Sequence, residues 1–600
     1  MNSKIDFFQN RITQLQEKIT QLKARSRDIS VLRIIAFLLF VAAIIFLLNL
    51  KVFTPIIVIS FLFFTGFGLI VRHHNKLRAE LLLHEKIRQI NQEEIDRLNY
   101  KFEALPTWEE FDNEQHVYAG DLDLYGKKSL FQLINRAETA TGVRRLKYWV
   151  EHFADKATIE TRQVAVKELA SKVAWRQKIQ AHGNVNKRVK GQDDDFQNWL
   201  NGTDKISSNR LYRVLPYIFF IVSGVLLIGA FTNLSPFSLM LLPIIISGFF
   251  LVRIRVYSET TYQMTSTGVV LLQSVENILL LLEKENFENG YLLELKKKLF
   301  DGRGHASWKI IELRKILAWL NLRGNQMYHL FNFMFLLDFL ILMKAEKWRQ
   351  KYKDDVEIWF GVIADFEALS SLAAFTFAHD GYTFPGISGE DHIFTCTSLG
   401  HPLIPPEQRV SNDFAIEGAG QVGIVTGSNM AGKSTFLRTV GVNAVLAFAG
   451  APVCADQLDL SIFQVFTSMR TKDNLVENIS SFYAELLRLK SLLQSINDTR
   501  PLLFLLDEIL KGTNSTDRHL GAESLAIQLS QSNAFGLIST HDLQLGELKL
   551  DARKLKNYNF SSEINGEEIV FDYKLREGIC MSTNASQLMS KIGINIHLSI

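Results

Sequence analysis

The stretch Val422-Gly-Ile-Val-Thr-Gly-Ser-Asn-Met-Ala-Gly-Lys-Ser-Thr435 decides the reading of the whole chain: an apolar run enters a glycine-bounded loop and leaves into a helical pattern, Phe436 to Phe448. Gly427 and Gly432 let the backbone of Ser428, Asn429, Met430 and Ala431 curl into a ring of N–H donors, and the helix that follows adds its positive end, so phosphate oxygens are bound without side-chain charge. Lys433 supplies a point charge for the outer phosphates. The hydroxyl of Ser434, followed by Thr435, is placed to ligate Mg²⁺, as this spacing requires between a strand and a helix. The expected ligands are ATP and Mg²⁺.

Two further apolar runs end in groups that this chemistry needs. Pro501-Leu-Leu-Phe-Leu-Leu506 reads as a buried parallel strand carrying Asp507 and Glu508 at its tip. Asp507 is expected to hold Mg²⁺ through water, and Glu508 to polarise the attacking water. Phe535-Gly-Leu-Ile-Ser-Thr540 is the second such strand and delivers His541, suited to the γ-phosphate. Between them, Ser480 and Ser481 stand where a helix would begin, before the pattern Phe482, Leu486, Leu489. A hydroxyl-bearing helix start is either an ordinary cap or a second anion site, and in the latter case its customer is the nucleotide of a second subunit.

Taken together, Thr426-Gly-Ser-Asn-Met-Ala-Gly-Lys-Ser-Thr435, Ser480-Ser-Phe-Tyr-Ala-Glu485, Asp507-Glu-Ile-Leu-Lys-Gly-Thr513 and Ser539-Thr-His541 resemble the ATPase domain of MutS proteins. Upstream, His401-Pro402, Asn412-Asp413, Ala368-Leu-Ser-Ser-Leu-Ala373 and the block Asp121 to Asn135 are similar to that family's helical core and its junction with the ATPase; Tyr573-Lys-Leu575 with Gly578 is similar to its closing strand. The resemblance implies a C-terminal α/β P-loop (ABC-type) ATPase domain, ATP hydrolysis in a homodimer with sites completed across the two subunits, and DNA as a partner. The family's minor-groove Phe-x-Glu reader does not occur in the chain, and Ile600 precedes the usual C-terminal extension, so mismatch reading is not expected. Where the family carries an aromatic residue for adenine, this sequence has Arg409, whose guanidinium can also stack on a base.

The composition asks for something besides a soluble ATPase: 600 residues, 47% hydrophobic and only 22% charged, with a mean hydropathy of +0.06. Four apolar runs account for the excess, Ile34 to Leu48, Ile56 to Val71, Val214 to Phe231 and Leu239 to Val252. Each is shorter than the ~20 residues that cross a bilayer core, but they come in closely joined pairs and read as two transmembrane hairpins. Cations flank the outer sides of both: Arg25, Arg27 and Arg33, then Arg72, Lys76 and Arg78; Arg210 and Arg213, then Arg253 and Arg255. That pattern places the N-terminus and the ATPase domain on the cytoplasmic side of an inner membrane. The polar stretch before the first run argues against a cleaved signal peptide. Cys396, Cys454 and Cys580 are widely spaced, in keeping with a reducing compartment and no metal site.

The expected organisation is therefore an amphipathic or coiled-coil helix (1–30), a first hairpin (31–72), a linking helix (73–104), a helical core (105–209) interrupted by a second hairpin (210–254), a second lever part (255–387) and the ATPase domain (388–600). Within it Leu130 to Val150 and Ile310 to Met343 show apolar residues at helical spacing, as lever helices would. The N-terminal seam Ile5, Phe8, Ile12, Leu15, Ile19 and Leu22 fits either a second copy of itself or the chain's own helix at Leu83, Ile87, Ile90 and Leu98. Basic clusters at Arg144-Arg145, Lys187 to Lys190 and Lys296 to Lys298 fit solvated helix faces or DNA phosphate. The functional expectation is a membrane-anchored, MutS-like ATPase on duplex or branched DNA; the alternative is an ATP-driven membrane machine or scaffold acting on a protein or lipid partner. A substrate-translocating ABC transporter is disfavoured by four short spans and the missing Leu-Ser-Gly-Gly.

Overall fold

A computed structural model describes residues 2–52, 54–113, 116–184, 192–266, 268–302, 304–470, 481–497, 499–548, 554–565 and 568–580. The chain is mostly helical up to Ala378, with α/β sheets beyond. The N-terminal third begins with two very long helices, α1 (Asn2–Asn49) and α2 (Thr54–Leu98), packed against each other. Each joins an apolar half to a polar half without a break, so the expected boundaries near residues 30 and 72 fall inside continuous helices. In the most apolar window of each helix no residue is buried. There the pair is held by rings, with Phe40 stacked on Phe63 at 4.0 Å between centroids. In the polar half the N-terminal seam packs on the chain itself: Ile5, Phe8 and Ile12 meet Ile95, Leu98 and Ala378, and Leu15 meets Leu83, Ile87, Ile90 and Ala181. Intrachain packing thus satisfies the seam, leaving no apolar stripe for a coil with a second copy.

Two expected long helices are divided. Leu130–Ile134 and Ala140–Glu151 are separated by a turn in which Thr139 caps the second helix by accepting from the Gly142 amide at 3.0 Å. The run from Ile310 to Met343 is split among Ala306–Leu320, Gln326–Phe335 and Leu337–Ala378. Asn325 caps the middle piece, and Leu336 reverses the chain in the left-handed region (φ 51°). Periodicity carries straight through such breaks because the flanking residues stay apolar.

Among the described residues, five helices are long and apolar enough to cross a membrane. Leu337–Ala378 is one of them, yet 83% of its apolar window is buried, so it serves as the spine of the helical body. Arg210–Phe231 and the helix that follows Phe237 bury only 22% and 28% of theirs. Charged pairs lock the body internally. Glu94 lies 2.9 Å from Arg136 and 3.7 Å from Arg97, all three buried. Burial raises the Glu94 pKa, but Arg136 and Arg97 outweigh it and hold the carboxyl down at about 2.

The C-terminal part contains a six-stranded sheet in the order 568–577, 555–565, 422–427, 534–540, 502–507, 464–468. All neighbours are parallel except the closing pair 555–565 and 568–577. Strands Val422–Gly427 and Ala534–Thr540 are buried along their whole length, as continuous apolar runs in a parallel sheet require. A four-stranded sheet, 386–387, 457–460, 393–399, 412–417, stands beside it. The Asp121 block docks on this part: Asp121 accepts from the Thr467 hydroxyl at 2.7 Å and from the Met469 and Arg470 amides at 3.1 Å.

Candidate nucleotide site

Register brings the predicted groups together. Thr426 pairs with Thr540, and Ser539 with Asp507, so the loop after Gly427, the Asp507–Glu508 tip and His541 emerge at the same carboxyl edge of three adjacent strands. The loop then depends on glycine at both ends. A Cβ on Gly427 (φ 148°) would stand 2.6 Å from the Phe560 carbonyl oxygen, and one on Gly432 (φ 106°) would stand 3.1 Å from the Tyr573 ring. Gly432 also opens the helix Lys433–Ala449 with no side-chain cap, which leaves its first amides directed at the loop.

Lys433 Nζ donates to the carbonyls of Gly427 at 2.8 Å and Ser428 at 3.2 Å and lies 3.3 Å from His541 Nε2. Burial pushes the Lys433 pKa below its usual value, against the pull of Glu508 and Asp507. His541 Nε2 is 2.9 Å from Glu508 Oε1 and 2.8 Å from Asn429 Oδ1. The His541 bond is the main reason that Glu508 is held at about 2, and Lys511, 3.0 Å from the other carboxylate oxygen, adds to it. Glu508 itself adopts φ 50°, so its carboxylate leaves the strand axis and turns to the loop. Asp507 accepts from the Ser539 hydroxyl, which fixes its carboxylate at the strand tip.

A cavity of about 700 Å³ opens over these groups, lined by Ser428 to Thr435 and Glu508 on one side and by His401, Ile404, Pro405, Gln408 and Val410 on the other. The residues fit a bound triphosphate with Mg²⁺. The Ser428 hydroxyl is buried without a hydrogen-bond partner among the described residues, and Ser434 and Thr435 line the cavity. Among the described residues no three His, Cys, Asp or Glu side chains cluster as a protein-only metal site, which suits an ion whose remaining ligands are phosphate and water.

Three residues come out differently from the sequence reading. Arg409 is not a base-stacking group: its guanidinium is turned away from the cavity, donating to the Ile404 carbonyl at 2.7 Å and to the Tyr100 hydroxyl at 2.9 Å. The aromatic rings lining the cavity are those of Tyr573, Phe436 and Phe560, with Tyr573 held where Asn412 donates to its carbonyl at 3.1 Å. Glu485, four residues into the helix Ser481–Ser495, is buried and accepts from the Leu510 amide, tying that helix to the turn after Glu508. Tyr573 and Glu485 both stand in the quoted motifs; what the sequence lacked was the register that brings them to the site. Ser480 lies outside the described residues, and Ser481 opens its helix with its side chain undescribed. Among the basic clusters, Arg145 is paired with Asp365 at 2.9 Å and Lys298 with Glu294 at 3.2 Å, while residues 187–190 lie outside the described residues.

The class is thus a mainly parallel α/β domain carried on a helical body. Residues 423–595 match the family model of MutS domain V, so the chain is MutS-like over its C-terminal part. It is 34% identical over 224 residues to a DNA mismatch repair protein MutS of Chlorobium phaeobacteroides, covering 36% of this chain and 25% of that one. It is 32% identical over 240 residues to a DNA mismatch repair protein MutS 2 of Halobacterium salinarum (39% and 27%). It is 29% identical over 258 residues to a DNA mismatch repair protein MSH3 of Candida glabrata (41% and 25%). The chain spans about a quarter of the length of the curated relatives it matches.

Proposed function

We propose that this chain is a membrane-anchored ATPase of the MutS type that hydrolyses ATP as a homodimer and engages duplex or branched DNA. The observation that carries the ATPase reading is the convergence of Lys433, Glu508 and His541 within hydrogen-bond reach on the tips of three adjacent parallel strands. Gly427 to Thr435 cradle the phosphates with backbone amides and Lys433. Ser434 and Asp507 hold Mg²⁺, which when bound neutralises charge on the outer phosphate oxygens. Glu508, ionised throughout the neutral range, orients the attacking water and takes its proton; His541 steadies Glu508 and faces the γ-phosphate. Tyr573 and His401 are the ring-bearing walls for the base. Ser480 and Ser481 serve the partner subunit's nucleotide, at a helix start that Glu485 joins to the chain's own Glu508 turn.

The exposed apolar halves of α1 and α2 and of the helices around 210–263 support insertion in a membrane. The flanking arginines support an inner-membrane topology with the N-terminus and ATPase domain in the cytoplasm, and the boundaries 1–30, 31–72, 73–104, 105–209, 210–254, 255–387 and 388–600 serve as working divisions of function. Magnesium-dependent ATP hydrolysis by detergent-solubilised protein, lost in Lys433→Ala, tests the enzyme. Recovery of the wild type in the soluble fraction of lysed cells would refute the anchor.

DNA is supported by the names of the relatives, which are mismatch repair proteins. A second reading, an ATP-driven membrane machine or scaffold acting on a protein or lipid without DNA, is favoured by the apolar hairpins and by a match confined to the C-terminal part. A salt-dependent mobility shift of duplex or branched DNA supports the first, because phosphate contacts release counterions. ATP turnover without DNA retention at low salt supports the second.

A further inference from the structure

Ten residues, Gln326-Met-Tyr-His-Leu-Phe-Asn-Phe-Met-Phe335, form a helix of their own between the helix Ala306–Leu320 and the buried spine. One side packs on the second hairpin: the Phe335 and Phe220 rings are 5.5 Å apart, and Phe333 sits over Gly248, 3.9 Å from where a Cβ would stand. Another side is uncovered, with Met327, Leu330 and Phe331 between 46% and 57% exposed and the polar Gln326 and His329 exposed beside it. Exposed Trp319 and Leu322 lie just before it in the chain.

Its depth follows from its contacts. Gly248 is five residues from Arg253, about 7.5 Å along that helix, and Ser223, which touches Met334, is ten residues from Arg213, about 15 Å. The tip therefore reaches past the arginines on both sides of the hairpin, about a quarter to a half of a ~30 Å hydrocarbon core. A chain that turns back at that depth has no water for its backbone. The turn carries its own substitutes. The Ser223 hydroxyl donates to the Met334 carbonyl at 2.7 Å, the Leu336 amide to the Asn332 carbonyl at 2.8 Å, and the Asp338 amide to the Asn332 side chain at 2.9 Å. Asp338 is in turn paired with Arg323 and accepts from the Tyr328 hydroxyl at 2.6 Å and from the Asn332 amide group at 2.9 Å.

We infer that Gln326–Phe335 is a re-entrant helix whose Met327, Leu330 and Phe331 face meets lipid acyl chains, a third membrane element beside the two hairpins. The inference rests on the membrane reading above, and it is carried by continuity: the exposed Phe331 ring lies 6.4 Å from Phe335, which lies 5.5 Å from the exposed Phe220 of the hairpin.

The test uses the full chain in phosphatidylcholine/phosphatidylglycerol vesicles, spin-labelled singly at Phe331→Cys, at Ile228→Cys on the hairpin, and at the exposed Leu520→Cys of the ATPase part. Labelled unsubstituted protein sets the background, because Cys396, Cys454 and Cys580 are buried. Collision with oxygen and with a water-soluble nickel chelate is read by power saturation. The expected result is that position 331 matches position 228, with high oxygen access and at least about tenfold less nickel access than position 520, as a site without water requires. If 331 behaves like 520 while 228 is lipid-exposed, the re-entrant helix is refuted and the anchor stands. If 228 also behaves like 520, the anchor falls and the inference with it. Shielding of 331 from both reagents means that a protein surface covers the face, which also overturns the proposal.

Discussion

Replacing Glu508 by glutamine separates chemistry from structure by the size of the two effects. In the fold, Glu508 accepts from His541 at 2.9 Å and faces Lys511 at 3.0 Å. Glutamine keeps an acceptor oxygen for His541 and loses the ion pair with Lys511, whose side chain is 51% exposed. An exposed pair contributes about 0–1 kcal/mol, so the variant folds and binds nucleotide. Proton transfer from the attacking water has no such substitute: a positioned base contributes about 10²–10⁴ in rate, or about 3–5 kcal/mol of barrier. The assay pairs ATP turnover at saturating MgATP with a separate nucleotide-binding titration, and light scattering follows the dimer. The expected outcome is unchanged affinity, a loss of at least about a hundredfold in kcat, and an ATP-dependent dimer that persists. Turnover within about threefold of wild type, with binding intact, would remove Glu508 from the role of base.

Three other outcomes follow from the same geometry. In His541→Ala the chief cause of the low Glu508 pKa is gone, so the carboxyl rises from about 2 toward its ordinary value, and a kcat profile between pH 4 and 6 gains an acid limb that the wild type lacks. Gly432→Ala forces a side chain into φ 106° against Tyr573, a strain of about 1–3 kcal/mol, so nucleotide affinity measured by titration falls roughly tenfold or more. Glu94→Gln leaves Arg136 buried without its carboxylate, while Arg97 keeps Glu93 at 3.9 Å, so stability falls by about 3–5 kcal/mol and the melting temperature in detergent drops at neutral pH. The sign with acid is fixed: a folded pKa of about 2 lies below the unfolded value, so the Glu94 contribution is complete above the unfolded pKa and is lost as pH falls through about 2.

The site was legible because its parts are local. Gly427 to Thr435, the Asp507–Glu508 pair and His541 each end an apolar run, and a parallel sheet aligns such ends without further information. The helical body was legible only in outline. Leu336 in the left-handed region has no sequence signal, so the run through Met343 read as one helix; Gly324-Asn325 was the one available mark of a break. Long-range pairings were hidden for the same reason: nothing near Arg409 announces that Tyr100, 309 positions away, takes its guanidinium. The seam of α1 showed its period but not its partner, since Ile95, Leu98 and Ala378 satisfy it as well as a second copy would.

That Arg409–Tyr100 contact gives α2 a mechanical meaning. The helix has 45 residues and ends two positions before Tyr100, so its far end at Thr54 lies roughly 70 Å from the rim of the nucleotide cavity. A rod of this span magnifies whatever happens at its hinge: a tilt of about 10° displaces the far end by roughly 12 Å, nearly half of a hydrocarbon core. A change at Ile404 or Arg409 that tilted α2 would therefore be magnified at Thr54.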